Sequence, residues 1–393
     1  MIVSNNYFPG LYVHVPFCKS KCPYCDFFSV TDPSLISSFL AALDQEARLY
    51  CDQFTTIFDS LFIGGGTPSW LGEAQIAGLM ENLRRHFTFA ADSEITIEAN
   101  PDDITAEKLQ VWRDLGINRL SLGVQSFDEA ELRFLGRRHT ARQTAAAIDL
   151  IRGAGFANLG LDLMYGLPGQ SLDAWTHSLE TALSFNPEHL SCYQLTIEAG
   201  GTPALRTPMA RRVARGQISL PDEETQREFF LLTARFLTAR GYLHYEVANF
   251  ARQGPQAGSL CHYCCRHNVK YWTRTPYLGL GPAAHSFLAG RRWWNFSSLE
   301  KYGAALRAGD APVAGAESLT PEQIRLETLA LGFRTCEGVS LATLREQPGG
   351  DAMVAALARA GLVRVERGRV IATASGLVVA DRLPLSFVDG VEV

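Results

Sequence analysis

Six short strand-like runs, each followed by a stretch of helical periodicity, constrain this chain more than any other feature. "LYVHV" (11–15), "DSLFI" (59–63), "EITIE" (94–98), "RLSLGV" (119–124), "LGLDL" (159–163) and "HLSCYQL" (189–195) read as buried strands. The segments between them, such as "PSLISSFLAALDQEARLY" (33–50) and "ARQTAAAIDLIRGAG" (141–155), repeat apolar residues at helical spacing and end near glycine or polar breaks. Alternation at this length means parallel βα units, and six in succession predict a barrel or an open partial barrel. In such folds the reactive groups gather at the C-terminal ends of the strands.

Those ends hold the conspicuous residues. After the first strand, "HVPFCKSKCPYCDFFS" (14–29) places Cys18, Cys22 and Cys25 within eight positions, spaced C-x3-C-x2-C. A structural zinc site wants four ligands, usually as two separated pairs, and a disulfide framework wants an even count in a short secreted chain. Three thiolates without a fourth suit an iron–sulfur cluster with one iron left open. Lys19, Lys21 and Pro23 interrupt the triplet, which argues against three thiols simply packed in a core. Gly64-Gly65-Gly66-Thr67-Pro68 follows the second strand, where glycines allow a tight turn or a close approach of backbone amides to a small ligand. Glu98 closes the third strand, Gln125 follows the fourth, and Asp162 lies near the end of the fifth. Singly these are ordinary polar residues; their common position makes them site candidates.

Composition narrows the class. At 393 residues the chain can form one large core and a smaller satellite domain. A net charge of -5 and a pI near 6.0 argue against bulk nucleic-acid binding. "MIVSNNYFPGLYVHV" lacks the basic and apolar segments of a signal peptide, and no run is apolar enough to span a membrane. Nine cysteines without an export signal point to a reducing compartment, so the expected location is cytoplasmic.

The combination of C-x3-C-x2-C with "GGGTPS", "IEANP", "RLSLGVQSF" and "DLMYGLPGQS" resembles the radical S-adenosylmethionine (SAM) enzymes. Within them it resembles the branch that holds the oxygen-independent coproporphyrinogen III dehydrogenases and the heme chaperones. The resemblance implies an α/β fold, a partial (β/α)6 radical-SAM barrel with a C-terminal helical, winged-helix-like domain. It implies a [4Fe-4S] cluster on Cys18, Cys22 and Cys25, with SAM on the fourth iron. An electron entering the cluster would cleave SAM to methionine and a 5'-deoxyadenosyl radical. Matching positions place Tyr12, Gly66 and Glu98 around one SAM. Tyr24, Thr67, Pro68, Gln125, Arg137 and Asp162 match positions that contact SAM in the decarboxylase, chiefly a second molecule; motif matching does not count ligands. The chemistry agrees, since a carboxylate can hold an ammonium or ribose hydroxyls and an arginine fork can grip a carboxylate.

A second region, "CHYCCRHNVKYW" (261–272), contains "HNVKYW", which resembles the HNxxYW motif associated with heme binding in the chaperone branch. It offers His262, His267, Cys264, Cys265 and Tyr271 as axial groups for heme iron, with His267 the first choice, and aromatic rings to cover a porphyrin face. Two other readings stand beside it. His267 and Asn268 could hydrogen-bond within a core, or Cys261, Cys264 and His267 could hold zinc. In "YLGLGPAAHSF" (277–287), Ala283 stands where the family pattern has glycine.

The expected division is a barrel core over 1–200, a connecting region with the HNxxYW segment over 201–315, and a winged-helix-like domain over 316–393. "GTPALRTPMARRVARGQISLPDEE" is expected to be a surface connection, and "GLVRVERGRVIATASG" a hairpin with a glycine-containing turn. The expected function is heme binding and delivery to acceptor hemoproteins, respiratory ones among them, with an electron donor for the cluster; a homodimer is compatible. The rival is oxidative decarboxylation of coproporphyrinogen III. Decarboxylases carry a fourth cysteine two residues after the third, where this chain has Phe27, and a longer segment before the motif, whereas this chain's first strand begins at Leu11.

Overall fold

The computed structural model describes residues 8–54, 56–197, 207–254 and 262–388. All six predicted strands form, as β1 (Gly10–Val15), β2 (Ile57–Gly65), β3 (Thr88–Ala99), β4 (Arg119–Gln125), β5 (Leu159–Tyr165) and β6 (His189–Gln194). They pair in parallel and in sequence order, β1 through β6, with the main helices α1 (Ile36–Tyr50), α2 (Glu73–His86), α3 (Ala106–Asp114), α4 (Glu129–Phe134), α5 (Ala141–Gly153) and α6 (Leu172–Ser184) between them.

Period-two alternation decides which strand face meets the helices. Leu11, Val13 and Val15, Leu61 and Ile63, Leu120 and Leu122, and Leu159 and Leu161 are fully buried in the main apolar core. The intervening positions carry polar groups: His14, Ser60, Glu94, Thr96, Arg119, Ser121 and His189 are buried as well. The strands are thus buried on both faces, but only one is apolar. The other is the polar lining of a site, not the aliphatic filling of a closed barrel.

Region 201–315 is more than a connection. It extends the same sheet on both sides, with β7 (Tyr242–Glu246) and β8 (Asn249–Arg252) added antiparallel beside β6, and β9 (Tyr277–Leu280) added parallel beside β1. β10 (His285–Leu288), β11 (Arg291–Asn295) and β12 (Val313–Ser318) continue outward from β9. The result is a twelve-stranded open sheet whose edges are β12 and β7. Part of the expected surface connection is instead helix α7 (Pro208–Ala214), capped by Thr207 and anchored by buried Met209; its first residues lie outside the described ones. The Met209 N–H donates to Pro23 O at 2.9 Å, tying this helix to the cysteine loop. Helix α8 (Glu223–Thr238) covers the β6 side, where Trp175 of α6 donates to Thr233 at 2.7 Å.

Between β8 and β9 runs α9 (Arg266–Thr273), the HNVKYW segment. Its contacts are with residues at or near the starts of the strands: Glu94 accepts from His267 N–H at 3.2 Å, and Ser60 Oγ lies 3.3 Å from His267 Nδ1. The helix therefore plugs the N-terminal mouth of the half-barrel, opposite the cysteines. After α10 (Leu299–Arg307), the C-terminal domain runs α11 (Pro321–Phe333), β13 (Val339–Ser340), α12 (Leu341–Arg345), α13 (Gly350–Arg359), β14 (Val363–Glu366), β15 (Arg369–Ala372) and α14 (Ala374–Val378). This is the winged-helix order, with its own core around Leu329, Phe333, Leu344 and Val370. The predicted hairpin turns at Arg367-Gly368, both at positive φ, as a tight two-residue turn requires. Among the described residues no helix is long and apolar enough to cross a membrane.

Candidate functional site

The loop after β1 brings the three cysteines to the C-terminal end of the half-barrel. Cys18 is buried, Cys22 and Cys25 are partly exposed, and all three line one small cavity with Tyr24, Gly66, Thr67 and Arg137. The loop is held from both sides: Cys18 N–H donates to Val30 O at 2.9 Å, and Phe28 O lies 2.9 Å from His14 Nε2. The thiols are free of one another. Among the described residues no three His, Cys, Asp or Glu side chains converge on a point as one metal ion would demand. Burial pushes the Cys25 thiol up, so ligation there must release a proton.

The glycine run is where the chain meets itself most closely. A methyl group on Gly66 would come within 2.7 Å of Phe17 O, and one on Gly64 within 3.0 Å of the Glu98 carboxylate. Gly65 sits at φ +110, which side chains rarely adopt. These contacts bring the second loop against the cysteine strand. Thr67 Oγ1 then donates to Cys18 Sγ at 3.5 Å, and Pro68 opens a short 3-10 turn beside it. Gly65 N–H donates to Glu98 Oε2 at 3.0 Å.

Arg137, from the turn after α4, reaches over β4 with Nη1 3.6 Å from Cys22 Sγ and Nη2 2.7 Å from Gly123 O. Its guanidinium also bonds Asn100 Oδ1. Gln125 ends β4 at φ +66, an uncommon conformation for a side-chain-bearing residue, and the pairing with β5 shifts register at that point. Its carbonyl accepts from the Tyr193 hydroxyl of β6. Asp162 lies in the middle of β5, not at its end, paired with Gly123 and Ser191, with Ser121 Oγ 3.2 Å from its carboxylate.

Two partly buried carboxylates thus interact with one another. Burial, then the Asp162 charge, pushes the Glu98 pKa up to about 8, and burial raises that of Asp162. Because the folded Glu98 holds its proton above the ordinary 4.5, the folded chain binds more protons than the unfolded one between pH 4.5 and about 8. Stability contributed through this group is therefore fullest below that window and is lost as pH rises through it. Glu98→Gln keeps an acceptor for Gly65 and removes the charge. At pH 8 the variant protein without cofactors is expected to be more stable than the parent, by on the order of 2 kcal/mol, with no gain at pH 5. Urea unfolding at the two pH values measures this; equal stabilities at pH 8 would show that Glu98 is not strained by burial.

Tyr12 joins this site to the plug. Its hydroxyl lies 3.1 Å from His14 Nδ1, and its ring packs against Phe62 and His267. His267 itself is 1% exposed. Its Nδ1 faces Ser60, its Nε2 lies 2.9 Å from the Tyr271 hydroxyl, and burial lowers its pKa to about 3. The structure therefore brings His267 against Tyr12, but neither to the three loop cysteines nor to an open surface. Both ring nitrogens have partners, and its place is inside the plug. Cys264 and Cys265 are buried beside it, His262 is exposed, and Cys261 of the zinc reading lies outside the described residues. Tyr24, Gly66, Thr67 and Arg137 line the cysteine cavity, with Pro68 next to Thr67 and with Glu98 and Gln125 at the ends of β3 and β4, whereas Tyr12 and Asp162 lie deeper along β1 and β5. Sequence reasoning missed Asn100, which bridges Arg137 and Thr67, and Tyr193, which holds Gln125. The signal was present: Asn100 is two residues beyond Glu98 and Tyr193 two beyond Ser191, the spacing of one strand face.

The radical SAM superfamily model matches residues 12–182, and the HemN C-terminal domain model matches residues 319–379. The heme chaperone HemW of Mycobacterium tuberculosis strain H37Rv is 35% identical over 379 residues, 95% of this chain and 93% of that one. HemW of Bacillus subtilis strain 168 is 33% identical over 95% of this chain and 97% of its own. Among solved structures, coproporphyrinogen III oxidase (HemN) from Escherichia coli superposes with a TM-score of 0.79 at 26% identity, covering 98% of this chain and 91% of that one. Matches of this length and identity show that the chain belongs to the HemW family of the radical SAM superfamily.

Proposed function

We propose that this protein binds heme and passes it to acceptor hemoproteins, carrying a [4Fe-4S] cluster on Cys18, Cys22 and Cys25. The observation that carries the reading is the end-to-end similarity to proteins named heme chaperone HemW, 33–35% identical over 95% of the chain. The fold alone does not discriminate, because HemN shares it. Phe27 supports the same side. It occupies the place of the decarboxylase's fourth cysteine and projects into solvent, 68% exposed.

In this reading SAM lies at the open iron, with Gly66, Glu98 and Tyr12 around it and Arg137, Gln125 and Asp162 beyond. When bound, the cluster supplies electrons to SAM. The chain's own contribution is a polar, water-poor cleft with a fixed cation at Arg137 and carboxylates placed for an ammonium or ribose hydroxyls. Glu98→Ala and Asp162→Ala are expected to weaken SAM binding about ten- to a hundredfold while leaving the cluster in place. SAM titration of reconstituted protein tests that, and unchanged affinities would make both carboxylates structural.

The function is tested by anaerobic reconstitution followed by two assays. Hemin-loaded protein is expected to convert an apo-hemoprotein to its holo form. Coproporphyrinogen III, supplied with SAM and a reductant, is expected to remain unconverted. Protoporphyrin formed in excess over the protein would overturn the chaperone reading in favour of decarboxylation.

A further inference from the structure

A cavity of about 480 Å³ opens on the far side of the β9–β11 extension, between these strands and α11 of the C-terminal domain. That volume is of the size that holds a small-molecule cofactor, roughly 300–1,000 Å³. Strand pairing builds its wall. Tyr277 pairs with Phe287, Phe287 with Arg292, and His285 with Trp294, so all five side chains stand on one sheet face. The opposite face, with Leu278, Leu280 and Trp293, is buried in the main core. Trp294 lies flat across β12: a methyl on Gly315 would meet its ring at 2.5 Å. His285 stacks on it, with ring centroids 5.9 Å apart and 25° between planes. Tyr271 closes the inner end, edge-on to Tyr277 at 4.7 Å.

We propose that this groove is the heme-binding site, with His285 as the axial ligand and Arg274 and Arg292 as the anchors for the two propionates. The proposal rests on the chaperone reading and places its ligand. Three features match the chemistry of a dianionic, planar, iron-bearing molecule. Aromatic rings offer faces and edges to a macrocycle. His285 lines the cavity and is exposed there, so its imidazole is open to an incoming iron. Two guanidiniums also line the groove, Arg274 held by Ile324 O and Thr328 through Nη1 and Arg292 by Glu317 and Glu327. Arg274 Nε and Glu327 Oε2 stand 3.0 Å apart as an ion pair, yet neither atom has an aligned hydrogen-bond partner. Arg292 shares the same glutamate and also reaches Glu317 at 3.2 Å. Two guanidiniums thus meet two carboxylates here, with Glu327 of α11 shared between both, so two propionates would take the arginines in exchange for these glutamates. Iron coordination here is a simple ligand bond from neutral imidazole, with no change of oxidation state.

The groove also gives the HNVKYW segment a physical role. His267 holds the Tyr271 hydroxyl from behind, so the motif shapes the cavity wall while its histidine stays in the plug.

Hemin titration of the full chain, followed by its Soret band, tests the site, with iron-free protoporphyrin IX as a second probe. His285→Ala is expected to lower hemin affinity at least tenfold and change the Soret position, yet leave protoporphyrin IX binding within twofold. The double variant Arg274→Gln with Arg292→Gln is expected to weaken both probes at least tenfold. Thermal melts of the variants without ligand confirm that they fold. If the parent protein binds hemin and both variants match it in affinity and spectrum, the site assignment is overturned while the chaperone reading stands. If the parent protein binds no hemin, both fall together.

Discussion

Alanine at any one of Cys18, Cys22 or Cys25 is expected to abolish assembly of the [4Fe-4S] cluster, whereas Cys51→Ala and Cys336→Ala are expected to leave it intact. The three thiols share one cavity, and among the described residues no other cysteine lines it. In such a cluster each would hold one iron, so loss of a single thiolate would leave two of the four irons without a protein ligand, and partial retention is not expected. Cys51 lies just past the end of α1, and its thiol donates to Arg48 O at 3.2 Å. Cys336 sits where the C-terminal domain meets β7, its N–H bonded to Tyr245 O at 3.0 Å. Iron and acid-labile sulfide, measured after anaerobic reconstitution, distinguish the outcomes. A full cluster in Cys22→Ala would remove the assignment. Thermal melts should show the cysteine variants folded, because Cys22 and Cys25 contribute little to the apolar core.

The largest effect on stability is expected at Glu46, far from the cysteines. It is fully buried on the apolar stripe of α1, between Leu43 and Tyr50. Its carboxylate accepts from the Tyr302 hydroxyl at 2.6 Å, the Gly281 N–H at 2.7 Å and the Asn295 amide at 2.5 Å. One side chain thereby ties α1 to α10 and to the glycine-rich turn after β9. That turn is tight: Gly281 has φ +97 and a methyl there would lie 2.4 Å from His14 O. Glu46→Ala strands the buried Tyr302 and Gly281 donors at about 1–3 kcal/mol each, while Asn295 keeps Gly281 O, so the cost is expected to be about 2–6 kcal/mol. Glu46→Gln, which keeps an acceptor oxygen, should cost less. Urea unfolding of the protein without cofactors measures both, and a loss under about 1 kcal/mol for the alanine variant would mean that water replaces the carboxylate. Burial pushes the Glu46 pKa up to about 7 against these hydrogen bonds. From pH 4.5 to 7 the folded chain therefore holds the extra proton, and stability from this group falls as pH rises, the same sign as for Glu98.

The sequence by itself determined what depends on near neighbours. Period-two patterns located all six parallel strands, and helical spacing located most of the segments between them, because both patterns are written within a few residues. The cysteine spacing and the glycine run marked the correct end of the half-barrel for the same reason. Arg367-Gly368 marked the wing, since a two-residue turn needs positive φ there. Even Ala283, where glycine fits the family pattern, takes the conformation that glycine would, at φ +62. Tertiary structure decided the rest, through partners distant along the chain. His267 meets Ser60 across 207 positions, which sets the motif's histidine inside the plug. Glu46 meets Asn295 and Tyr302 across 249 and 256 positions, so a surface-type residue becomes the most deeply tied carboxylate near α1. The region beyond residue 201 joins both edges of the sheet, and only that pairing sets His285, Phe287, Arg292 and Trp294 on one face opposite α11. Local periodicity reports which face of a strand is apolar; it carries no information on which strand will lie beside it, and that choice builds the groove.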